Sequence, residues 1–162
     1  RSPFDILLHL GDSPAREGWF SRVLMRLPVR LFASPSYLAE RGTPVRTEEL
    51  AEHRLLTWRA GGRHADAWPL LDGSTLSVAP SVISANPELL ATLASEGGGI
   101  ALLPGPSELF QPPGAQLVPV LEEVVGGEVV LRALTPHPSR TDPRLRALLE
   151  NVQALLTALA VE

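Results

Sequence analysis

Polar residues stand directly before a proline at three predicted helix starts, where a helix presents free backbone N–H groups. Asp142 precedes Pro143, and the other two are also candidates for a ligand contact. Ser34 precedes Pro35, and Asn86 precedes Pro87. Either side chain can cap its helix by accepting one N–H, while the remaining N–H groups and the positive end of the helix dipole attract anions. Each residue therefore has two interpretations: a helix cap alone, or a cap that also faces a ligand.

Three consecutive glycines, Gly97 to Gly99, follow the helix that Pro87 begins and precede an aliphatic run. A phosphate-binding loop has the opposite order, strand then helix, and ends in Lys followed by Ser or Thr. This stretch has neither feature. We therefore predict that Gly97 ends the helix and that the next two glycines turn the chain into a strand.

The other residue types that commonly carry chemistry form no catalytic or metal-binding pattern. There is no HExxH motif, no acidic pair at metal-ligand spacing and no Gly-x-Ser-x-Gly motif. The histidines are His9, His53, His64 and His137. We predict a core or cleft-wall position for His9 and an exposed turn for His137. Trp58 and Trp68 flank a glycine-bearing loop, where core packing is favoured over base stacking because no basic repeat accompanies them. Accordingly, we predict no enzymatic function, no cofactor and no metal.

The composition is that of an ordinary globular protein without thiols. The chain has 162 residues, of which 44% are hydrophobic and 20% charged, and its formal net charge is −4. The absence of Cys excludes disulfides and a thiol nucleophile, and no apolar run reaches the roughly eighteen residues that span a bilayer. All 14 basic residues are Arg and they are scattered, so the chain by itself is not predicted to bind nucleic acid. We expect one domain, or one domain with two lobes, in the cytoplasm, because the N-terminal segment is a poor signal peptide.

Hydrophobic periodicity and turn residues predict strands that alternate with helices. Helices are predicted to begin at Pro35, Thr47, Pro87 and Pro143, with Thr47 capping its own helix. The predicted strands are 4–10, 29–33, 75–84, 100–103, 117–121 and 128–136. The segment between the first two strands is polar and contains Gly and Pro, and no strand is predicted there.

The last predicted helix has a clear amphipathic stripe with 3–1–3–3–1–3 spacing. Its apolar residues are Leu145, Leu148, Leu149, Val152, Leu155, Leu156 and Leu159. Strands that alternate with helices favour an α/β fold in which helices cover a mostly parallel sheet.

Several segments, in order along nearly the whole chain, resemble the regulatory domain of LysR-type transcriptional regulators. They are FDILLHLGD, ASPSYLAERGTPVRTEELAEHRLL, ANPELLATLASEGGGIALLP, QLVPVL and LRALTPHPSRTDPRLRALLENVQALL. The resemblance implies a two-lobed fold like that of type 2 periplasmic binding proteins, with a small effector held between the lobes. It implies that residues 1–33 and 129–162 form the first lobe and residues 34–128 the second.

The resemblance also implies which residues contact the effector, which would be a small anionic or aromatic molecule. They are Leu10, Gly11 and Asp12 after the first strand, Ser34 near the crossover, and Ser84, Asn86 and Pro87 at a helix start. The family often has an acidic residue where this chain has Pro87.

The family's N-terminal winged helix-turn-helix and the first strand–helix units of its first lobe have no counterpart in this sequence. The resemblance therefore implies that DNA is bound only through a helix-turn-helix domain outside this sequence. The effector would change the subunit packing of a homo-oligomer on that DNA. The first lobe is expected to be incomplete, and the chain to self-associate through the face left open. The alternative is a stand-alone solute-binding protein of the same fold; an enzyme such as a dehydratase comes third.

Overall fold

The computed structural model divides the chain into two compact units. It describes residues 5–12, 18–61, 63–136 and 142–160, and of residues 159 and 160 it describes only the backbone. Unit 1 comprises Arg1–Leu27 and Val129–Glu162, and unit 2 comprises Pro28–Glu128. The resemblance implies a first boundary between the lobes after Ala33, whereas the first boundary between the two units follows Leu27.

The secondary-structure elements are short except for β2 and α3. The strands are β1 (Leu7–Leu10), β2 (Phe20–Ala33), β3 (Leu55–Trp58), β4 (Ala67–Pro69), β5 (Thr75–Ser77), β6 (Val82–Ser84), β7 (Ile100–Pro104), β8 (Val118–Val120) and β9 (Gly127–Thr135). The α-helices are α1 (Pro35–Arg41), α2 (Pro87–Ser95) and α3 (Pro143–Ala160), and 3₁₀ helices cover Thr47–Glu52 and Ser107–Leu109. No helix in the described ranges is both long enough and apolar enough to cross a membrane.

In unit 1, α3 packs on a small antiparallel sheet. Strand β1 pairs with β9, with Leu7 opposite Leu134. The core there consists of Leu24, Ala133 and Leu149, with Ile6, Leu131, Val152 and Leu156 packed around them. The predicted start of α3 at Pro143 is confirmed, because the Asp142 side chain accepts the N–H of Arg144 at 2.9 Å.

The amphipathic stripe of α3 is only partly buried. Leu149 is buried, whereas Leu148 is 50% and Leu155 62% exposed. The sheet covers only one side of the helix. Residues at successive spacings of four, three and four face the sheet, whereas the leucines on either side of them do not. The predicted apolar stripe therefore faces the sheet, and Leu148 and Leu155 lie at its exposed margins. The side chain of Leu159 lies outside the described residues.

In unit 2, the sheet is mixed, whereas a mostly parallel sheet was predicted. Strand β3 is parallel to both β6 and β7, whereas β2 runs antiparallel to β7 and β8. Every residue of β3 and β7 is buried, as expected for central strands covered on both faces. Helix α2 packs on them through Leu90, Ala91 and Ala94. Leu89, next to Leu90 in the helix, is 49% exposed.

A separate two-stranded sheet replaces the long strand predicted for 75–84. Strand β5 pairs with β4, while β6 joins β3, and Pro80 lies in the break between β5 and β6. The hairpin is anchored by Trp68, which is fully buried and donates its indole N–H to Thr57 Oγ1 at 2.8 Å. Trp58 is also buried, so the core interpretation of both tryptophans is confirmed.

Three further features differ from the sequence predictions. The segment before residue 29, where no strand was predicted, belongs to the long strand β2 from Phe20 onward, because β2 pairs within the sheet and buries Leu24 and Leu27. Strands β3 and β4 were not predicted. Thr47 does not cap its helix: the Glu49 carboxylate instead accepts the N–H groups of Val45 and Arg46, at 2.6 and 3.2 Å.

The glycine turn after α2 is confirmed. Gly97 has φ 81°, and its N–H donates to the carbonyl oxygen of Ala94 at 3.0 Å. Gly99 has φ 147°, and a Cβ there would lie 2.4 Å from the carbonyl oxygen of Arg54. The third glycine is therefore needed because the chain passes against the backbone that leads into β3.

Candidate functional site

The carboxyl ends of β3 and β6 lie together at one edge of the unit 2 sheet, here called the carboxyl edge. The two strands are parallel, with Trp58 opposite Ser84. The N–H of Arg59 donates to the carbonyl oxygen of Ser84 at 2.9 Å, and the Trp58 indole N–H donates to that of Ala85 at 3.1 Å. The backbone leading into α2 is therefore fixed to the end of β3.

Asn86 begins α2 at this edge with its side chain already engaged. Its Oδ1 accepts the N–H of Leu89 at 3.2 Å, and its own N–H donates to Ser84 Oγ at 3.0 Å. Pro87 has no N–H, so Glu88 supplies the remaining N–H of the first turn. Within the described residues that N–H has no protein acceptor. Asn86 is therefore a cap, as predicted, and the helix start beside it can still accept an anion.

The charges at this edge oppose one another. The exposed side chain of Arg59 follows β3, whereas the exposed carboxylate of Glu88 lies in the first turn of α2. Arg59 favours an anionic ligand and Glu88 weakens that preference. Sequence reasoning missed Arg59 because it did not assign β3, although the apolar run before Trp58 was a usable signal.

Ser34 lies at the opposite edge of the sheet. Strand β2 is antiparallel to β7, with Val29 opposite Pro104 and Phe32 opposite Ala101, so β2 ends where β7 begins. Ser34 is buried, and its Oγ accepts the N–H of Tyr37 at 3.1 Å. Capping accounts for this hydroxyl, and the structure does not bring it to Ser84 and Asn86.

Leu10, Gly11 and Asp12 belong to unit 1. Gly11 is buried with φ 109°, and its N–H donates to the carbonyl oxygen of Val130 at 3.0 Å. Half-buried His9 donates through Nε2 to the carbonyl oxygen of Asp12 at 2.6 Å. These bonds shape the turn that follows β1. His137 lies outside the described residues.

Two carboxylates in unit 2 accept hydrogen bonds from nearby residues in turns, and these bonds lower their pKa values. The backbone N–H groups of Val45 and Arg46 lower the pKa of Glu49, and the Ser74 hydroxyl lowers the pKa of Asp72 at the β4–β5 turn. In the described part of the chain, no three His, Asp or Glu side chains come close enough to hold a metal ion.

Comparisons with known proteins give a consistent picture. A family model described as "LysR substrate binding domain" matches residues 2–157. The HTH-type transcriptional regulator CrgA of Neisseria meningitidis serogroup B is 37% identical over 101 residues, which cover 61% of this chain and 33% of that protein. An HTH-type transcriptional regulator of Xanthomonas campestris is 31% identical over 157 residues, covering 90% of this chain and 44% of that protein. This chain therefore spans less than half the length of these curated relatives.

Solved structures agree with the sequence matches. The regulatory domain of CrgA, a LysR-type transcriptional regulator from Neisseria meningitidis, superposes with a TM-score of 0.75 at 27% identity, covering 94% of this chain and 75% of that one. Full-length AphB, a virulence activator of Vibrio cholerae, shares the fold with a TM-score of 0.71 at 24% identity, covering 94% and 52% of the two chains.

Proposed function

The chain belongs to the LysR substrate-binding domain family, and we propose that it is the effector-sensing domain of a cytoplasmic transcriptional regulator. It is homologous to regulatory domains of LysR-type regulators, which supports this function over a stand-alone solute-binding protein. The relatives are named as transcriptional regulators, which supports a role without catalysis. The DNA contacts and the homo-oligomer are proposed for the whole regulator, because the relatives extend well beyond the matched part.

The proposed effector site is the carboxyl edge of unit 2. The observation that supports it is the capped start of α2, tied to the end of β3 by the bonds from Trp58 and Arg59. In open α/β sheets, ligands bind beyond the carboxyl ends of the strands, where helix N-termini offer N–H groups. A small carboxylate would bind the N–H of Glu88 and the Arg59 guanidinium.

The contributions of the other predicted residues differ. Ser34 is left out of the proposed site because it lies at the opposite sheet edge. The involvement of Leu10, Gly11 and Asp12 stays a prediction. An effector that binds one conformation of the domain more tightly than another would shift the regulator toward that conformation and so change its packing on DNA.

Two cap deletions test the proposal. Small carboxylates, with benzoate as the first probe, are titrated calorimetrically into the wild-type chain, Asn86→Ala and Ser34→Ala. Each substitution removes an N-cap and costs about 1 kcal/mol of stability, so the variants are matched in folding. We expect weaker binding, by about fivefold, in Asn86→Ala only, because without its cap the first turn of α2 frays and the Glu88 N–H is no longer held toward the ligand.

The comparison separates a binding role from a structural one. Equal losses in both variants would mean that affinity follows stability and not the α2 start. Unchanged affinity in Asn86→Ala would remove this edge from the site. A chain that binds no carboxylate in the series would contradict an anionic effector.

A further inference from the structure

A groove of about 400 Å³ runs beside β5 in unit 2. Its apolar lining includes Leu50, Leu55, Leu76 and Val78, and its polar lining includes Glu48 and Ser77. We call it the β5 groove. Leu55 begins β3, so the groove lies toward the amino end of that strand and is distinct from the carboxyl edge. Its volume falls in the range of ligand sites, and the proposed effector function does not use it.

One edge of β5 has no strand beside it. The N–H of Val78 donates to the Asp66 carbonyl and that of Leu70 to the Ser74 carbonyl, both at 2.9 Å. Since bonded and non-bonded pairs alternate in an antiparallel ladder, the backbone groups of Leu76 face β4. Those of Thr75 and Ser77 therefore point away from β4. Both residues are exposed, and among the described residues no partner takes their outward N–H and C=O groups.

The groove follows this free edge. Leu76 and Ser77 are consecutive residues of β5 and both line the groove, although successive side chains of a strand point to opposite faces. A cavity over one face would touch alternate residues only. The groove therefore reaches the free edge at Ser77, whose outward N–H and C=O lie beside an apolar floor, which is the arrangement that accepts an added strand.

The charge of the lining selects the partner. Glu48 is an exposed carboxylate in the lining, and no Arg lines the groove. A cationic side chain on the added strand would be attracted to Glu48, and an acidic one would be repelled.

We propose that the β5 groove binds an extended cationic peptide segment of a partner protein as an additional strand on β5. Alternate apolar side chains of the peptide lie on the floor that Leu50 and Leu55 help to form, and basic side chains between them face Glu48. The two-residue repeat of such a peptide, about 6.6 Å, lets it pair with Ser77 in the groove and continue along β5 to Thr75, which lies outside the groove lining.

A backbone-specific pair of variants tests the pairing. The probe is a fluorescein-labelled heptapeptide of alternating lysine and valine, and its binding to the 162-residue chain is followed by fluorescence anisotropy. Ser77→Pro removes the outward N–H and leaves the hydrogen bonds between β5 and β4 in place. Pro69 in β4 already shows that a proline fits at a position whose N–H does not pair with the neighbouring strand. Ser77→Ala removes only the hydroxyl. We expect about fivefold to tenfold weaker binding to Ser77→Pro and unchanged binding to Ser77→Ala.

Modified peptides give a second test that does not depend on the folding of any variant. The same peptide with alternate backbone nitrogens methylated keeps its side chains but cannot pair, and we expect its binding to the wild-type chain to be lost. A glutamate–valine peptide should also fail to bind, and Glu48→Gln should weaken binding of the lysine peptide.

Three outcomes would overturn the proposal. They are equal binding of the methylated peptide, equal binding of the acidic peptide, and unchanged affinity in Ser77→Pro. If the peptide does not bind while Ser77→Pro abolishes self-association of the chain, the occupant is a second copy of the chain and the proposal is wrong. Neither Ser77 nor Glu48 belongs to the proposed effector site, so this test and the cap test fail independently.

Discussion

The bond between Trp68 and Thr57 is predicted to hold the β4–β5 hairpin on the main sheet of unit 2. The indole N–H donates to Thr57 Oγ1 at 2.8 Å, and both residues are buried, with Trp68 at 0% exposure. Thr57→Val keeps the shape of the side chain but leaves the N–H without an acceptor. A buried unsatisfied donor costs about 1–3 kcal/mol, so we expect the free energy of unfolding to fall by about 2 kcal/mol.

The double variant distinguishes the hydrogen bond from packing. Trp68→Phe removes the donor and some buried volume, for which we expect a loss of about 2 kcal/mol. In the double variant the orphaned N–H is gone, so its loss should be smaller than the sum of the single losses by about 1–2 kcal/mol.

Equilibrium urea unfolding followed by far-UV circular dichroism measures all four proteins without relying on the tryptophan signal. The wild type and the two single variants complete the cycle. Losses that add to within about 0.3 kcal/mol would refute the reasoning, because they would mean that the indole N–H and the hydroxyl do not interact.

The remaining predictions concern a glycine and a turn carboxylate. Gly99→Ala places a Cβ 2.4 Å from the Arg54 carbonyl oxygen and should lower the free energy of unfolding by about 3 kcal/mol. The control Gly114→Ala, where φ is 78° and the space around the residue is open, should lower it by only about 1 kcal/mol. Similar losses in the two variants, measured by urea unfolding, would refute the steric argument. The pKa of Glu49 is lowered from its ordinary 4.5, chiefly by the N–H of Val45, so its stabilisation is present above pH 4.5 and lost as the pH falls through the lowered value. Glu49→Gln should therefore lose less stability than the wild type between pH 6 and pH 3, and parallel pH profiles of the two proteins would contradict this.

Local signals predicted the helix starts and the glycine turn because their causes are local. Ser34, Asn86 and Asp142 each accept an N–H within the next three residues, and a proline follows each of them. The stop at Gly97 likewise depends on a backbone conformation that glycine adopts readily. Such features need no knowledge of the rest of the chain.

Pairing between distant strands was not predictable in this way. Strand β2 begins at Phe20, well before the predicted start at Val29, because pairing with its neighbours in the sheet, and not its own alternation, holds these earlier residues in the strand. The apolar run of β3 was left unassigned, since a short apolar run does not by itself distinguish a strand from a buried helix segment. The missed strand also concealed Arg59.

The candidate site was predicted in part. Ser84 and Asn86 were expected at a strand end that leads into a helix, which depends only on neighbours in sequence. The side of the sheet on which Ser34 lies depends on the direction of β2 relative to β7, a property that only the three-dimensional pairing reveals.

The hydrogen bond from Trp58 to the backbone before Asn86 has a spectroscopic consequence. The indole N–H is held by the Ala85 carbonyl, one residue before the helix cap, so any shift of the α2 start changes the electrostatic environment of that ring. Because the chain has three tryptophans, the signal of Trp58 is isolated as the difference in emission between the wild type and Trp58→Phe. That difference is an intrinsic optical reporter of events at the carboxyl edge, and it needs no attached label.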